Sequence, residues 1–265
     1  MRIDWTALPE TVTSGIAERA GGALATPASS GDHAEIAATV TGHNGKVFVK
    51  AASSDLGIRS LRYELLASKA INPAYSPAVE WDFEADGWLV VGFEHVDGPH
   101  ADLSPGNPDL DLLDATLKEL GETPAPGGRS WFSPAGRLGF AHPAMDGETL
   151  LHTDLNPANL IVSPHGLRIV DWAFATTAAP WVELALLVPW LIGSGHTPEQ
   201  AEEWLARRPT WGATNPEVLD QFASSNAAKW SLKAQQTAAQ WVHDLSAWTG
   251  DWSTYRRTAV LKQRS

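Results

Sequence analysis

The sequence predicts an α+β fold in two lobes, a β-rich one over residues 1–97 and a mainly helical one over 98–265. Three observations carry this. Before residue 97, two pairs of apolar, β-branched runs are each joined at an Asn-Gly or Asp-Gly turn signal. The segment DGPHADLSPGNPD, 97–109, is dense in Pro, Gly and Asp, as lobe boundaries are. Beyond it, apolar residues recur mostly at helical spacing.

In order, LPETVTSGIAERAGG sets Leu8, Val12 and Ile16 four residues apart and closes on Gly21-Gly22, a short amphipathic helix with its stop signal. EIAATVTGHNGKVFVK reads as two strands joined at Asn44-Gly45, where a type I′ turn is expected. SLRYELLASKAINP is the inserted helix, with Leu61 and Leu65 on one face, Asp55 before its start and Asn72-Pro73 as its stop. WDFEADGWLVVGFEHV is a second hairpin turning near Asp86-Gly87.

DLDLLDATLKEL, 109–120, has a helical pattern, whereas 121–148 has no period and reads as mostly loop. NLIV and LRIV are short strands flanking the turn at Ser163 to Gly166. ELALLVPWLIG, Glu183 to Gly193, is too short to span a bilayer and reads as a buried helix. Thr197-Pro198-Glu199-Gln200 is a capping box with Pro at the first helical position. Trp230, Ala234, Ala238, Trp241, Leu245 and Trp248 mark one long helical face, closed by Gly250.

Composition narrows the function. A net charge of −12 argues against a nucleic-acid partner and is compatible with a cationic substrate. The absence of cysteine excludes disulfides and thiolate chemistry. MRIDWTALPET lacks the apolar core of a signal peptide, so a cytoplasmic protein without a membrane partner is expected. G-x-S-x-G, H-E-x-x-H and G-x-G-x-x-G are all missing, and GHNGKV lacks the spacing and the Ser or Thr of a phosphate loop.

One run remains. LLHTDLNPANLIV, 150–162, places His152, Asp154 and Asn159 inside an otherwise apolar or turn-like stretch, and Asp171 follows twelve residues after Asn159. Buried polar groups are costly unless partnered, so such a cluster is a structural network or a site. The pattern resembles the catalytic core of kinase-fold phosphotransferases. Phosphoryl transfer to an alcohol needs a carboxylate to orient the hydroxyl and take its proton, and oxygen ligands for Mg²⁺. By that resemblance Asp154 is the base, Asn159 and Asp171 hold Mg²⁺, and His152 is structural.

The upstream sequence agrees. Lys50 closes the strand VFVK, where such enzymes place the lysine that binds the ATP phosphates. Glu64 follows fourteen residues later inside the predicted helix, and Lys50–Glu64 is the natural pair. SSGDHAE, 29–35, precedes the first hairpin strand, where Ser30 and Gly31 can offer backbone N–H groups to phosphates. The hinge is expected near Gly92 to Val96, with backbone groups of Glu94 and Val96 pairing with adenine.

The resemblance sharpens to the aminoglycoside phosphotransferase family through VFVKA, HADLSPGNPDL, LLHTDLNPANLIV, DWA and APWVELALLVPWLIGSGHTPEQAE. It covers roughly residues 30–205, with HTD in place of the commoner HGD. Glu183 departs from the family's usual Asp by one methylene. The resemblance implies a two-lobed protein-kinase-like fold and ATP-dependent transfer of a phosphoryl group to a hydroxyl of a small molecule, aminoglycoside-like or another hydroxylated or amine-bearing compound. Only about ten residues separate Asp171 from the helix near Val182, too few for a peptide-docking segment. Trp230, Trp241, Trp248 and Trp252 are candidates to line an acceptor pocket, and Glu202, Asp220, Asp244 and Asp251 to contact an amine. The alternative is a nucleotide-binding pseudokinase that regulates without turnover.

Overall fold

The computed structural model describes residues 3–28, 34–127 and 131–263. In chain order the strands are β1 (Leu24–Pro27), β2 (Ile36–Gly42), β3 (Gly45–Ala52), β4 (Val79–Ala85), β5 (Trp88–Glu94), β6 (Thr149–Leu151), β7 (Leu160–Ser163), β8 (Gly166–Ile169) and β9 (Thr176–Ala178). The helices are α1 (Glu10–Ala20), α2 (Asp55–Ser68), α3 (Asp109–Gly121), α4 (Pro134–Leu138), α5 (Trp181–Gly193), α6 (Pro198–Leu205), α7 (Pro209–Gly212), α8 (Pro216–Ala234) and α9 (Gln240–Gln263). The chain packs as two compact units, Met1–His100 with Ala158–Ala175, and Ala101–Pro157 with Thr176–Ser265. A single division at 97/98 would leave the β7–β8 hairpin with the second unit. It groups with the first, where Val162 N–H donates to Pro99 O at 2.9 Å and Ile169 N–H to Tyr75 O at 2.7 Å.

In the first unit an antiparallel sheet runs in the order β1-β2-β3-β5-β4. Alternation along β3 decides which face each side chain serves. Val47, Val49 and Ala51 join Val40 and Val90 under Val12 and Ile16 of α1. Phe48 and Ala52 point the other way, toward Leu61 of α2 and Val91 and Phe93 of β5. Lys50 shares that second parity, which sends a lysine toward α2.

Ser54 caps α2 by accepting the Gly57 N–H, so Asp55 is the first helical residue and does not precede the helix as its sequence suggested. The two hairpin turns also divide differently from expectation. Asp86 (φ 46°) and Gly87 (φ 78°) both take positive φ, as a type I′ turn requires. Neither His43 nor Asn44 does; the left-handed step falls on Gly45 alone (φ 108°), so the first turn is not type I′.

In the second unit α5 is buried on nearly every side, with Val182, Ala185, Leu187 and Val188 fully enclosed. The capping box forms as read, Thr197 Oγ1 accepting the Gln200 N–H and Gln200 Oε1 the Thr197 N–H. Within 121–148, read as mostly loop, Ser133 caps the short α4, and β6 follows at Thr149 and pairs with β9. The long face from Trp230 to Trp248 is two helices. α8 stops at Ala234, and Thr237 Oγ1 accepts the Ala239 N–H just before α9 begins. Trp230 and Trp241 meet across that break, edge to face at 5.9 Å, and Gly250 lies inside α9. Trp252 is core, packed on Trp211 and Phe222 with its indole N–H on Glu202. No helix among the described residues is long and apolar enough to cross a membrane.

Candidate active site

In the first unit four of the sequence-nominated residues come together. Lys50 Nζ lies 2.6 Å from Glu64 Oε1 and 3.0 Å from Asp171 Oδ1, with both Lys50 and Glu64 buried. The Trp172 backbone N–H also bonds Glu64, tying α2 to the segment after β8. Burial alone would favour the neutral amine, but Asp171 and Glu64 more than reverse it and raise the Lys50 pKa. Burial likewise raises the Glu64 carboxyl, with Lys50 opposing it.

Asn159 and Asp171 stand at the open ends of the β7–β8 hairpin. Leu160 pairs with Ile169, and Val170 N–H donates to Asn159 O at 3.0 Å, so the twelve-residue separation closes to one ladder step. Asp171 sits in the left-handed region (φ 66°, ψ 60°), which Asp tolerates better than most residues. An amide oxygen and a carboxylate are hard donors of the kind Mg²⁺ prefers. Among the described residues no group of three or more His, Cys, Asp or Glu could hold a metal ion.

Asp154 lies in the second unit, on the loop after β6. Its backbone N–H donates to His152 Nδ1 at 3.2 Å, and Asn156 N–H folds back onto Asp154 O. His152 is fully buried and serves the loop's shape. Thr153 holds φ 63°, a conformation that costs a β-branched residue roughly 1–2 kcal/mol and that a glycine would adopt freely. Its surroundings impose it. Arg137 Nε donates to Thr153 Oγ1 at 3.1 Å and Nη2 to Thr153 O at 3.2 Å, while Thr176 Oγ1 approaches from β9 at 3.4 Å.

Glu183 completes the loop. Its carboxylate accepts both the His152 and the Thr153 backbone N–H, the latter at 2.9 Å, so the longer side chain still supports the loop from the first turn of α5. Burial pushes this carboxyl up to about 7, against those two donors. The folded state therefore keeps a proton between the ordinary carboxylate range and pH 7 that the unfolded chain releases, and stability at this group falls as pH rises through that window. Glu183→Ala should strand two buried N–H groups and cost about 2–4 kcal/mol. Thermal unfolding of the two proteins from pH 5 to 8 checks both the loss and the disappearance of that pH slope.

The remaining nominees fall elsewhere. Glu94 ends β5, its carboxylate gripped by Arg168 at 2.6 and 3.1 Å and by the Ala78 N–H, and Val96 lies two residues on. Ser30 and Gly31 lie outside the described residues. Glu202 and Asp220 both bind Arg256 at 2.6 Å, and Asp244 accepts from Gln240. Sequence reasoning missed Arg137, in a stretch with no period, and Arg168, whose strand position gave no hint of its partner.

Residues 138–222 match the profile of the phosphotransferase enzyme family. No curated protein matches the chain. Among solved structures, one similar chain is a thermostable mutant of aminoglycoside phosphotransferase APH(4)-Ia in ternary complex with ADP and hygromycin B. It is 15% identical with a TM-score of 0.60, over 94% of this chain and 98% of that one. A second, with AMP-PNP and hygromycin B, gives 16% and 0.59 over 94% and 99%. At such identity the likeness is one of fold: this chain has the two-lobed kinase-like fold of aminoglycoside phosphotransferases, and its sequence resembles that family.

Proposed function

We propose that this chain, with the kinase-like fold of the aminoglycoside phosphotransferases, moves the γ-phosphoryl group of ATP to a hydroxyl of a small molecule. The observation that carries the reading is the Lys50–Glu64–Asp171 ion cluster, in which a buried lysine and a buried glutamate are paired and the lysine also reaches the half-buried Asp171, the arrangement expected of a phosphate-binding lysine. In this reading Lys50, steadied by Glu64, binds the nucleotide phosphates. Backbone groups of Glu94 and Val96 serve adenine, and Ser30 and Gly31 cover the phosphates. In this reading residues 1–97 carry nucleotide binding, and the chain beyond them supplies the catalytic and acceptor-binding residues.

Asn159 and Asp171 would hold Mg²⁺, which supplies neutralisation of phosphate charge. Asp154 orients the acceptor hydroxyl and takes its proton, on a loop held rigid by Glu183 and Arg137. The protein's own contribution is therefore positioning and electrostatics.

An acceptor screen at fixed ATP and Mg²⁺, read as the mass increase of one phosphoryl group, tests the reading. Lys50→Met should lower kcat/KM for ATP by roughly 10- to 100-fold, the worth of a lost charge-assisted bond. Nucleotide binding with no transfer to any acceptor in a broad panel would instead point to a regulatory pseudokinase.

A further inference from the structure

We infer that Arg168 is a positioning residue that joins the adenine-facing end of β5 to the β7–β8 hairpin, so that base recognition and Mg²⁺ affinity are coupled. The inference deepens the proposed function and rests on two of its assignments in the first unit. These are adenine at Glu94 and Val96, and Mg²⁺ at Asn159 and Asp171.

Arginine is a costly residue to bury in a short strand. Arg168 on β8 is 6% exposed, and its neighbours Leu167 and Ile169 are buried on the opposite face. Its guanidinium meets Glu94, the last residue of β5, as a two-pronged fork. Nη1 donates to Oε1 at 3.1 Å and Nη2 to Oε2 at 2.6 Å. Nη2 also donates to Ser76 O at 3.0 Å. Nε is buried with no hydrogen-bond partner among the described residues, so the fork and that carbonyl set where the group lies. Glu94 is held in turn by Ala78, accepting its N–H at 3.1 Å and donating its own N–H to Ala78 O at 2.8 Å. Burial would raise the Glu94 carboxyl, but the Arg168 and Ala78 bonds more than reverse it.

A buried ion pair adds little stability over apolar residues of similar volume. What it adds is direction, because a planar fork on a carboxylate admits few geometries. Direction matters here. Asp171 follows Arg168 by three residues, and Val170 N–H donates to Asn159 O at 3.0 Å, so both proposed metal ligands ride on the hairpin.

The other strand of the hairpin is tied to the chain just past the hinge. Val162 N–H donates to Pro99 O at 2.9 Å, and His100 bridges Ile161. Gly98 packs so closely that a Cβ there would lie 2.1 Å from Val162 O. The stretch 94–98 is therefore anchored at both ends to one hairpin, by backbone on the β7 side and by Arg168 on the β8 side. A base that settles residues 94–96 also settles the metal ligands, and by linkage the metal favours the base by the same factor.

The test is a set of calorimetric titrations on the full chain with AMP-PNP and with inorganic tripolyphosphate, which lacks the nucleoside. Each ligand is titrated at saturating Mg²⁺ and again in EDTA. In the wild type the preference for AMP-PNP should be larger with Mg²⁺ by roughly 5-fold or more, the lower end of ordinary coupling between sites. In Arg168→Met the preference should be the same in both conditions. Arg168→Lys keeps the charge without the fork, and Glu94→Gln keeps the size without the charge; both should lose most of the coupling. These two milder variants carry the test if thermal unfolding shows that Arg168→Met does not fold. An arginine with only a structural role would lower Tm or weaken all four titrations alike, leaving the double ratio unchanged.

The inference is overturned if the wild-type preference is indifferent to Mg²⁺, or if the folded variants keep the wild-type double ratio. Arg168-dependent coupling with no phosphorylated product in the acceptor screen would uphold it and remove the phosphotransferase reading. Phosphoryl transfer without such coupling would do the reverse. A wild-type chain that binds neither ligand would remove both.

Discussion

Asp154→Asn should lower turnover by ~10²–10⁴-fold, the usual worth of a general base, while leaving nucleotide affinity nearly unchanged. The substitution keeps the side chain's size and removes its proton acceptor and negative charge. It should disturb little else, because the loop is shaped by main-chain bonds that the carboxylate does not make. Those are Asp154 N–H to His152 Nδ1, Asn156 N–H to Asp154 O, and Glu183 to the N–H groups of His152 and Thr153. Arg137 keeps its two bonds to Thr153 in the variant, so it need not collapse onto the vacated charge. The measurement pairs steady-state kcat, with the acceptor that the screen identifies, and AMP-PNP affinity by titration. Turnover near that of the wild type would remove Asp154 as the base.

How much of this was legible in the sequence depends on the range of the forces involved. The sheet and its two helices could be read because alternation and helical spacing are local. The parity that sends Val47 and Val49 toward α1 also sends Lys50 toward Glu64. The Asn159–Asp171 approach was readable for the same reason, since a hairpin must bring its open ends together. Turn type was not: Asn44-Gly45 and Asp86-Gly87 look alike, yet the first places only Gly45 at positive φ.

The α8–α9 break was hidden because aromatic spacing continues through it without Gly or Pro. A side-chain cap at Thr237 and the Trp230–Trp241 contact define it. β6 and β9 have three residues each, too few to show a period. The basic group beside Asp154 was the least visible. Arg137 lies in a stretch with no period, and a net charge of −12 says nothing of the sign at one loop.

Asp171→Asn should be the more damaging change for nucleotide handling. Asparagine is the informative replacement because Asp171 sits at φ 66°, where alanine would add roughly 1–2 kcal/mol of backbone strain and Asn adds little. Asn also retains an oxygen for Lys50, whose ammonium keeps its 2.6 Å bond to Glu64, so the fold should survive. What is lost is the negative charge, and under the proposed assignment that charge is a ligand to Mg²⁺. Losing an outer-sphere partner typically costs 10–100-fold in metal affinity, so losing a direct carboxylate should cost roughly 100-fold or more. The apparent Mg²⁺ requirement for AMP-PNP binding should rise by that factor, and turnover should fall with it. Asp154→Asn, titrated beside it, should show the wild-type Mg²⁺ dependence. A Mg²⁺ titration of Asp171→Asn that overlays the wild type would take the metal away from this residue, leaving its carboxylate as a structural partner of Lys50.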